Sequence, residues 1–250
     1  MINKDTKIKH SLSVVLPVYN EEGNIKEVIT SIVNFLRNND NLSEFEIIVV
    51  DDGSRDNTSA ILKKFKESFS IKVITHSRNL GYGKALMSGV NNSWFPLIFF
   101  MDADSQFDIR DLDKLFFYLD RYDIVTGYRE KRQDSLYRII LGKTHTFLIS
   151  LLFGFKLKDV NCGFKLIKRE VFDTLNFVCS GPLAYSDILV NAKNKGSKIK
   201  EVSVSHYPCR KGSQTGGSPR VVFGAIKELL ELWYRVKVKG RKTKKSVWSK

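Results

Sequence analysis

Leu97-Ile98-Phe99-Phe100-Met101-Asp102-Ala103-Asp104-Ser105-Gln106 holds the reading that decides the fold. An unbroken apolar run ends at once in two carboxylates. A short run of this kind is a strand buried on both faces. Outward from it lie three similar runs: Leu12–Pro17 (LSVVLP), Glu46–Val50 (EIIVV) and Ile71–Thr75 (IKVIT). Between them the apolar residues take helical spacing: Ile25, Val28, Ile29, Ile32, Val33 and Leu36 after Asn20, then Asn57–Phe65, then a pattern from near Gly83. Alternating strand and helix imply right-handed crossovers and an α/β fold, a central mostly parallel sheet flanked by helices.

In such sheets ligands sit beyond the C-terminal ends of the strands. Here those ends read Pro17-Val18-Tyr19-Asn20-Glu21-Glu22, Asp51-Asp52-Gly53-Ser54, Arg78-Asn79-Leu80-Gly81-Tyr82-Gly83-Lys84 and Asp102-Ala103-Asp104-Ser105-Gln106. A turn or helix cap accounts for one acidic end. It does not account for two carboxylate pairs and a basic glycine-rich loop on one sheet edge. If the chain turns after Asp102, then Asp102 and Asp104 face one cation and Gln106 can add a carbonyl oxygen. Oxygen ligands suit Mg²⁺ or Mn²⁺, and such an ion bridges a diphosphate and neutralises a leaving group. Asp111 and Asp113 repeat the D-x-D spacing at a helix start, where acids favour the dipole, and are expected to cap. Asp51 and Asp52 can accept bonds from a base or ribose, and Ser54 or Asp56 caps the next helix. Arg78, Gly81, Gly83 and Lys84 form a loop where amides and cations meet phosphate, without the spacing of a Walker loop.

The 250 residues include 42% hydrophobic residues, enough for a sizeable core, which excludes a fully disordered chain. Cys162, Cys179 and Cys209 contain no C-x-x-C pair, so reduced thiols are expected and a zinc site is not. Lys and Arg number 41 against 27 acids, a net charge of +14. This excess implies an anionic partner: nucleic acid, anionic lipid or a phosphate-bearing substrate. No RNA-recognition motif or zinc finger accompanies it, so no nucleic acid partner is expected. Met1–His10 has no apolar core, so no signal peptide is expected, and no membrane span is expected because no apolar run reaches ~18 residues.

The stretches LPVYNEEGNI (Leu16–Ile25), VVDDGSRDNT (Val49–Thr58), RNLGYGKAL (Arg78–Leu86), FMDADSQFD (Phe100–Asp108) and DVNCGFKLIKREVF (Asp159–Phe172) resemble family 2 glycosyltransferases with the GT-A nucleotide-sugar-binding fold. The D-A-D-x-Q form and C-G-F-K-L-I-K-R are most similar to the polyprenyl-phosphate (dolichol-phosphate) hexose synthases. The resemblance implies an inverting, metal-dependent transfer of a hexose from a nucleotide diphosphate sugar to a polyprenyl phosphate. It implies that Pro17, Tyr19 and Glu21 hold the donor's base, and that Asp51 and Asp52 lie near base and ribose. Arg78 and Lys84 lie with them on the donor side. It further implies that Asp102, Asp104 and Gln106 form the metal and diphosphate site, with Mg²⁺ or Mn²⁺ as cofactor. Arg129, in Gly127-Tyr128-Arg129, and Arg138 are implied to reach the acceptor phosphate. Asp187 falls where relatives carry an acceptor-side carboxylate, although Ser186-Asp187 departs from the usual Glu-Asp. A transfer to a glycan or other hydroxyl would need Asp187 as base. A phosphate monoester, largely ionised near neutral pH, needs positive charge instead. Arg132 and Lys143 are expected to be solvated surface.

Residues 1–218 are expected to form the transferase domain, with 1–105 as the nucleotide-sugar half and 106–218 as the acceptor half. Residues 219–250 are expected to form an amphipathic helix and polybasic tail. Leu136–Phe155 and Val221–Val236 are both apolar, and core packing is the default reading of each. The second also carries Trp233 and Tyr234 and runs into the basic tail, which fits a helix lying on an anionic membrane surface. Peripheral attachment at the cytosolic face follows as an expectation. The basic, glycine-rich segment His206–Ser218 has the composition of a loop closing over donor and acceptor phosphates, and Cys209 stands there where relatives often carry a basic residue.

Overall fold

The computed structural model describes residues 9–69, 71–175, 181–209, 211 and 217–239. Its strands are β1 (His10–Val18), β2 (Leu42–Asp51), β3 (Ile71–Thr75), β4 (Leu97–Phe100), β5 (Ile124–Arg129), β6 (Lys165–Lys168) and β7 (Ile199–Val204). They form one seven-stranded sheet in the order β3-β2-β1-β4-β6-β5-β7. The helices are α1 (Ile25–Arg37), α2 (Thr58–Ser68), α3 (Tyr82–Asn91), α4 (Leu112–Phe116), α5 (Leu136–Phe153), α6 (Arg169–Asp173), α7 (Ala184–Asn194) and α8 (Pro219–Trp233). The apolar runs are strands because both of their faces are covered. Val14, Leu16, Ile47, Val49 and Phe99 meet Ile25, Ile29, Ile32 and Leu36 of α1 on one face. Val15, Ile48, Val50, Ile98 and Phe100 meet Leu86 of α3, Ile149 of α5 and Ile188 of α7 on the other.

Register gathers the functional loops. In the parallel part Val18 pairs with Asp51, Asp51 with Thr75, and Val15 with Phe100. The loops after β1, β2, β3 and β4 therefore leave at one edge. β6 runs antiparallel, pairing Phe100 with Lys165 and Thr126 with Lys165. It is the N-terminal end of β6 that reaches this edge, which brings residues 159–164 beside Asp102. β5 and β7 are parallel, with Arg129 opposite Val204, so Arg129 and His206 arrive there as well.

Two helices depart from the core reading. α5 buries Thr146, Ile149 and Phe153, while Leu136, Tyr137, Ile140, Phe147 and Leu151 are exposed. Against the expectation that no run reaches a membrane span, α5 is by length and composition apolar enough to cross a membrane, and only 17% of it is buried. A helix on a sheet face buries one stripe, and here the outward stripe is apolar too. α8 buries Leu232 against the α5–α7 side of the core and exposes Phe223, Ile226 and Leu230. The run 240–250, with most of the expected polybasic tail, lies outside the described residues, as do Cys179 and Arg210.

Candidate active site

At the donor end the first two loops are stitched together. Asn20 takes a left-handed backbone (φ 57°), and its amide N–H donates to Ser54 Oγ at 3.0 Å. The Glu21 N–H donates to Thr58 Oγ1 at 2.9 Å. Asp51 Oδ1 accepts from the Ser54 N–H at 2.9 Å, and Oδ2 accepts from the Ser59 hydroxyl. Asp52 fixes the basic loop: its oxygens accept from the N–H groups of Leu80 and Gly81, both at 2.9 Å, and His76 Nδ1 lies 2.6 Å away. Gly53 (φ +71°) packs directly on the Arg78–Asn79 backbone, where a Cβ would approach Arg78 C within 2.5 Å. Pro17 is buried in β1, whereas Tyr19, Arg78 and Lys84 are exposed at the same edge. Asp51 and Asp52 are themselves buried and build the loop that presents those groups.

At the centre, Ser105 turns the chain after Asp104 with a left-handed φ of 59°, a conformation that costs a non-glycine residue about 1–2 kcal/mol. Glu21, Asp102 and Asp104 then lie within electrostatic reach of one another. Burial, followed by the charges of Asp102 and Glu21, pushes the Asp104 carboxyl up to about 7. Burial pushes Glu21 up to about 7; the Asn24 amide opposes this, and Asp102 and Asp56 add to it. Burial also raises Asp102, against the Tyr82 hydrogen bond and the charges of Arg129, Lys165 and Arg138. Such mutually opposed, hard oxygen donors fit a divalent cation. Among the described residues no three His, Cys, Asp or Glu side chains are close enough to hold one alone. A cation held there would need further ligands, and diphosphate oxygens suit. Gln106 is occupied differently from the expectation. It is buried, its Nε2 donates to Tyr207 O at 3.0 Å, and its backbone carbonyl accepts from the Tyr207 N–H at 2.8 Å. It fastens His206–Cys209 beside the site, and Asn24 Nδ2 donates to Lys211 O at 3.1 Å. Asp111 stands at the N-cap position of α4, as expected, but its carboxylate makes no capping bond and accepts from the Ser205 N–H at 2.5 Å. Asp113 takes the amides of Asn39 and Asn41, both at 2.8 Å.

On the acceptor side Arg129 forms a two-pronged pair with Asp159, Nε to Oδ2 at 2.6 Å and Nη2 to Oδ1 at 2.9 Å. Burial opposes the Arg129 charge, but the bond to Asp159 raises it above the ordinary range. The Asp134 side chain, itself covered, gathers three guanidinium groups: Arg132 at 2.5 Å, Arg138 at 3.3 Å and Arg129 at 3.8 Å. Arg132 is thus not solvated surface; Asp134 draws it inward against Gly142 of α5. Three cations against Asp134 and Asp159 leave a positive excess. Arg138 Nη1 is buried without a hydrogen-bond partner among the described residues. An anion with several oxygens suits such a cluster. His206 lies alongside, accepting the Gln133 N–H at 3.2 Å. Burial, then the Arg129 charge, pushes its imidazole down to about 4.

Asp187 lies in the first turn of α7. Its carboxylate is 1% exposed and is held by Arg235 at 3.0 Å and Asn191 at 2.5 Å. Sequence reasoning passed over Tyr82, Asp134, Asp159, Lys165 and Tyr185. Lys165 had a legible signal, a lysine between apolar residues of a strand. It is fully buried, with Nζ donating to Thr126 Oγ1 at 2.6 Å and to Val160 O at 3.1 Å. Burial lowers its pKa.

Known proteins are similar to this chain in sequence and in fold. The chain is 28% identical to a dodecaprenyl-phosphate galacturonate synthase of Rhizobium johnstonii over 92% of its own length and 68% of the relative's. It is 29% identical to an undecaprenyl-phosphate 4-deoxy-4-formamido-L-arabinose transferase of Proteus mirabilis, covering 79% of this chain and 60% of that one. A dolichyl-phosphate beta-glucosyltransferase of Trichomonas vaginalis is 28% identical, over 88% and 71%. The chain therefore spans about 60–71% of the length of these relatives. In fold it is similar to the crystal structure of glucosyl-3-phosphoglycerate synthase from Mycobacterium tuberculosis with UDP, at a TM-score of 0.70 and 21% identity over 90% of this chain and 80% of that one. The same enzyme with Mn²⁺, UDP and glucosyl-3-phosphoglycerate gives a TM-score of 0.69 at 20% identity, over 89% and 80%. The pattern of glycosyl transferase family 2 matches residues 13–175, more than half of the chain and the span that holds both carboxylate pairs and Arg129. The chain belongs to glycosyl transferase family 2: it is a glycosyltransferase with the GT-A fold.

Proposed function

We propose that this glycosyltransferase moves a sugar, with inversion, from a nucleotide diphosphate sugar to a polyprenyl phosphate. The observation that carries the reading is the arginine cluster of Arg129, Arg132 and Arg138, facing the carboxylates across one sheet edge, with Arg138 Nη1 unpartnered. A phosphate acceptor is already a nucleophilic anion and needs to be held, not deprotonated. The pairing of Asp187 with Arg235 supports the same choice, since a base for a hydroxyl acceptor must reach that hydroxyl. The relatives are named for dodecaprenyl, undecaprenyl and dolichyl phosphate.

On this reading the donor's base and ribose lie over Tyr19, Glu21 and the Asp51–Ser54 loop, and its diphosphate lies between Arg78, Lys84 and Asp104. Asp102 and Asp104 would hold Mg²⁺ or Mn²⁺, which supplies charge neutralisation at the departing diphosphate; the Mn²⁺ complexes of the Mycobacterium tuberculosis enzyme support this assignment. Arg129 and Arg138 orient the acceptor phosphate for attack on the anomeric carbon from the face opposite the diphosphate. Tyr207, fastened by Gln106, and Lys211, held by Asn24, limit water at the reacting atoms. Transfer of radiolabelled sugar into organic-extractable polyprenyl phosphate tests the reading; label appearing only on a phosphate-free polyprenol or a glycan would overturn it.

The outward stripes of α5 (Leu136, Ile140, Phe147, Leu151) and α8 (Phe223, Ile226, Leu230) support docking on an anionic membrane surface. The helices start side by side, with Gly217 at 3.4 Å from Arg138 and Tyr137 measured from an added Cβ. The acceptor-side arginine therefore lies at the base of the apolar platform, where a lipid phosphate would present itself.

A further inference from the structure

Tyr82 has no role in the account so far, although it sits in the glycine-rich loop that meets the donor. Its Oη donates to Asp102 Oδ1 at 2.5 Å and lies 3.0 Å from Tyr185 Oη. Tyr185 Oη is in turn 3.3 Å from the Gly163 carbonyl. The two rings meet edge to face at 5.6 Å, and Lys165 Nζ stands 4.7 Å over the Tyr185 ring. Opposite Tyr82, the Asp102 carboxylate rests on Gly163, with no room for a Cβ. One oxygen is thus gripped by a phenol while the carboxylate is backed by bare backbone. Tyr82 opens α3, the residue after Gly81, whose N–H is fixed by Asp52. A continuous path of short contacts runs from Asp52 through the phosphate-side loop to Asp102.

We propose that Tyr82, seconded by Tyr185, is a positioning residue: it fixes the orientation of the Asp102 carboxylate, so that the loop gripped by Asp52 and the cation-side carboxylate are set as one unit. This rests on the reading of Asp102 and Asp104 as the cation site. A phenol–carboxylate hydrogen bond is charge-assisted and strong. Groups that orient a metal's carboxylate ligand typically change metal affinity about 10–100-fold when removed. Tyr82→Phe keeps the ring and its packing and removes only the hydroxyl. Tyr185→Phe acts one contact further out.

The test uses the whole chain and reads binding apart from turnover. Free Mn²⁺ is titrated by electron paramagnetic resonance against wild type, Y82F and Y185F, with UDP and with GDP, and each melting temperature is recorded. Y82F is expected to weaken Mn²⁺ binding about tenfold and to raise the Mn²⁺ concentration for half-maximal transfer by the same factor. Its rate at saturating Mn²⁺ is expected to fall less. Y185F is expected to show the same shift, smaller. A purely structural role would lower the melting temperature and leave the Mn²⁺ affinity of the folded protein unchanged. Equal affinity in wild type and both variants overturns this proposal alone. Wild-type protein that binds no Mn²⁺ with either nucleotide overturns the cation site and this proposal together.

Discussion

The carboxylate of Asp102 rests on the backbone of Gly163, so closely that a Cβ at that position would overlap both of its oxygens. The contact joins the end of β4 to the loop before antiparallel β6. Gly163→Ala must therefore push the carboxylate out of place while the strands around it stay paired. Misplacing a reacting group by about 1 Å costs on the order of 100-fold in rate. A loss of that size in kcat, with a melting temperature within a few degrees of wild type, is the expected outcome. Wild-type kcat in the alanine variant would contradict it.

Asp104 has a pKa of about 7 against an ordinary value of 3.8. Between those values the native state keeps a proton that the unfolded chain has lost, so stability falls as pH rises through that window. Asp104→Asn removes the buried charge. In chelator-treated protein it should melt higher than wild type at pH 8, with the gap closing toward pH 5, where the native carboxyl is neutral. Each kcal/mol of relief is worth about 2–4 °C in a chain of this size. His145 and His206, both pushed down to about 4 mainly by burial, act in the opposite sense but alike in both proteins. The same variant should have no measurable transferase activity. A melting difference independent of pH would contradict the assignment.

The arginines separate binding from scaffolding. Arg129→Ala leaves Asp159 buried without its partner, a defect worth about 3–5 kcal/mol, so that variant should melt early. Arg138 meets Asp134 through Nε at 3.3 Å, but Asp134 keeps Arg132 and Arg129, and Arg138 Nη1 has no partner among the described residues. Arg138→Ala should fold normally and raise the acceptor KM about tenfold or more, as a charge-assisted contact allows, with the donor KM nearly unchanged. Steady-state kinetics with each substrate varied in turn decide this, and an equal rise in both KM values would count against the placement of the acceptor phosphate.

Asp187→Asn distinguishes the two acceptor chemistries. With Asp187 tied to Arg235 and Asn191, the variant should melt lower yet keep kcat within about tenfold, the effect of a structural contact and not of a general base, whose loss costs about 100–10,000-fold. A nearly inactive, well-folded variant would point to a hydroxyl acceptor.

Phe147 and Leu151 are 63% and 67% exposed on α5. The double variant Phe147→Glu, Leu151→Glu should fold unchanged and lose co-sedimentation with vesicles containing anionic lipid. Truncation of 237–250 should weaken the same binding. Undiminished sedimentation of both would remove the membrane reading.

The donor half was legible because its signals are local. LSVVLP, EIIVV, IKVIT and LIFF became β1 to β4, and Ile25 to Leu36 became the buried stripe of α1, since a run covered on both faces and a helical stripe each announce themselves within a dozen residues. The acceptor half was not, because its order is set by pairing across the chain. β6 is four residues long and antiparallel, and nothing in Lys165–Lys168 states its direction. Arg132 looked like surface because Asp134 becomes its buried partner only once α5 packs behind it. Asp111 and Gln106 read as a cap and a ligand from their neighbours alone, while each also holds a residue roughly a hundred positions away, Ser205 and Tyr207.

The central claim is tested most directly by nucleoside diphosphate release. Purified protein with Mn²⁺ is given UDP-, GDP- and dTDP-sugars in detergent, with undecaprenyl phosphate, dolichyl phosphate or the corresponding phosphate-free alcohol. The account predicts release of one nucleoside diphosphate that requires the lipid phosphate and is absent with the alcohol. Release at equal rates with the alcohol, or with no lipid at all, would contradict it.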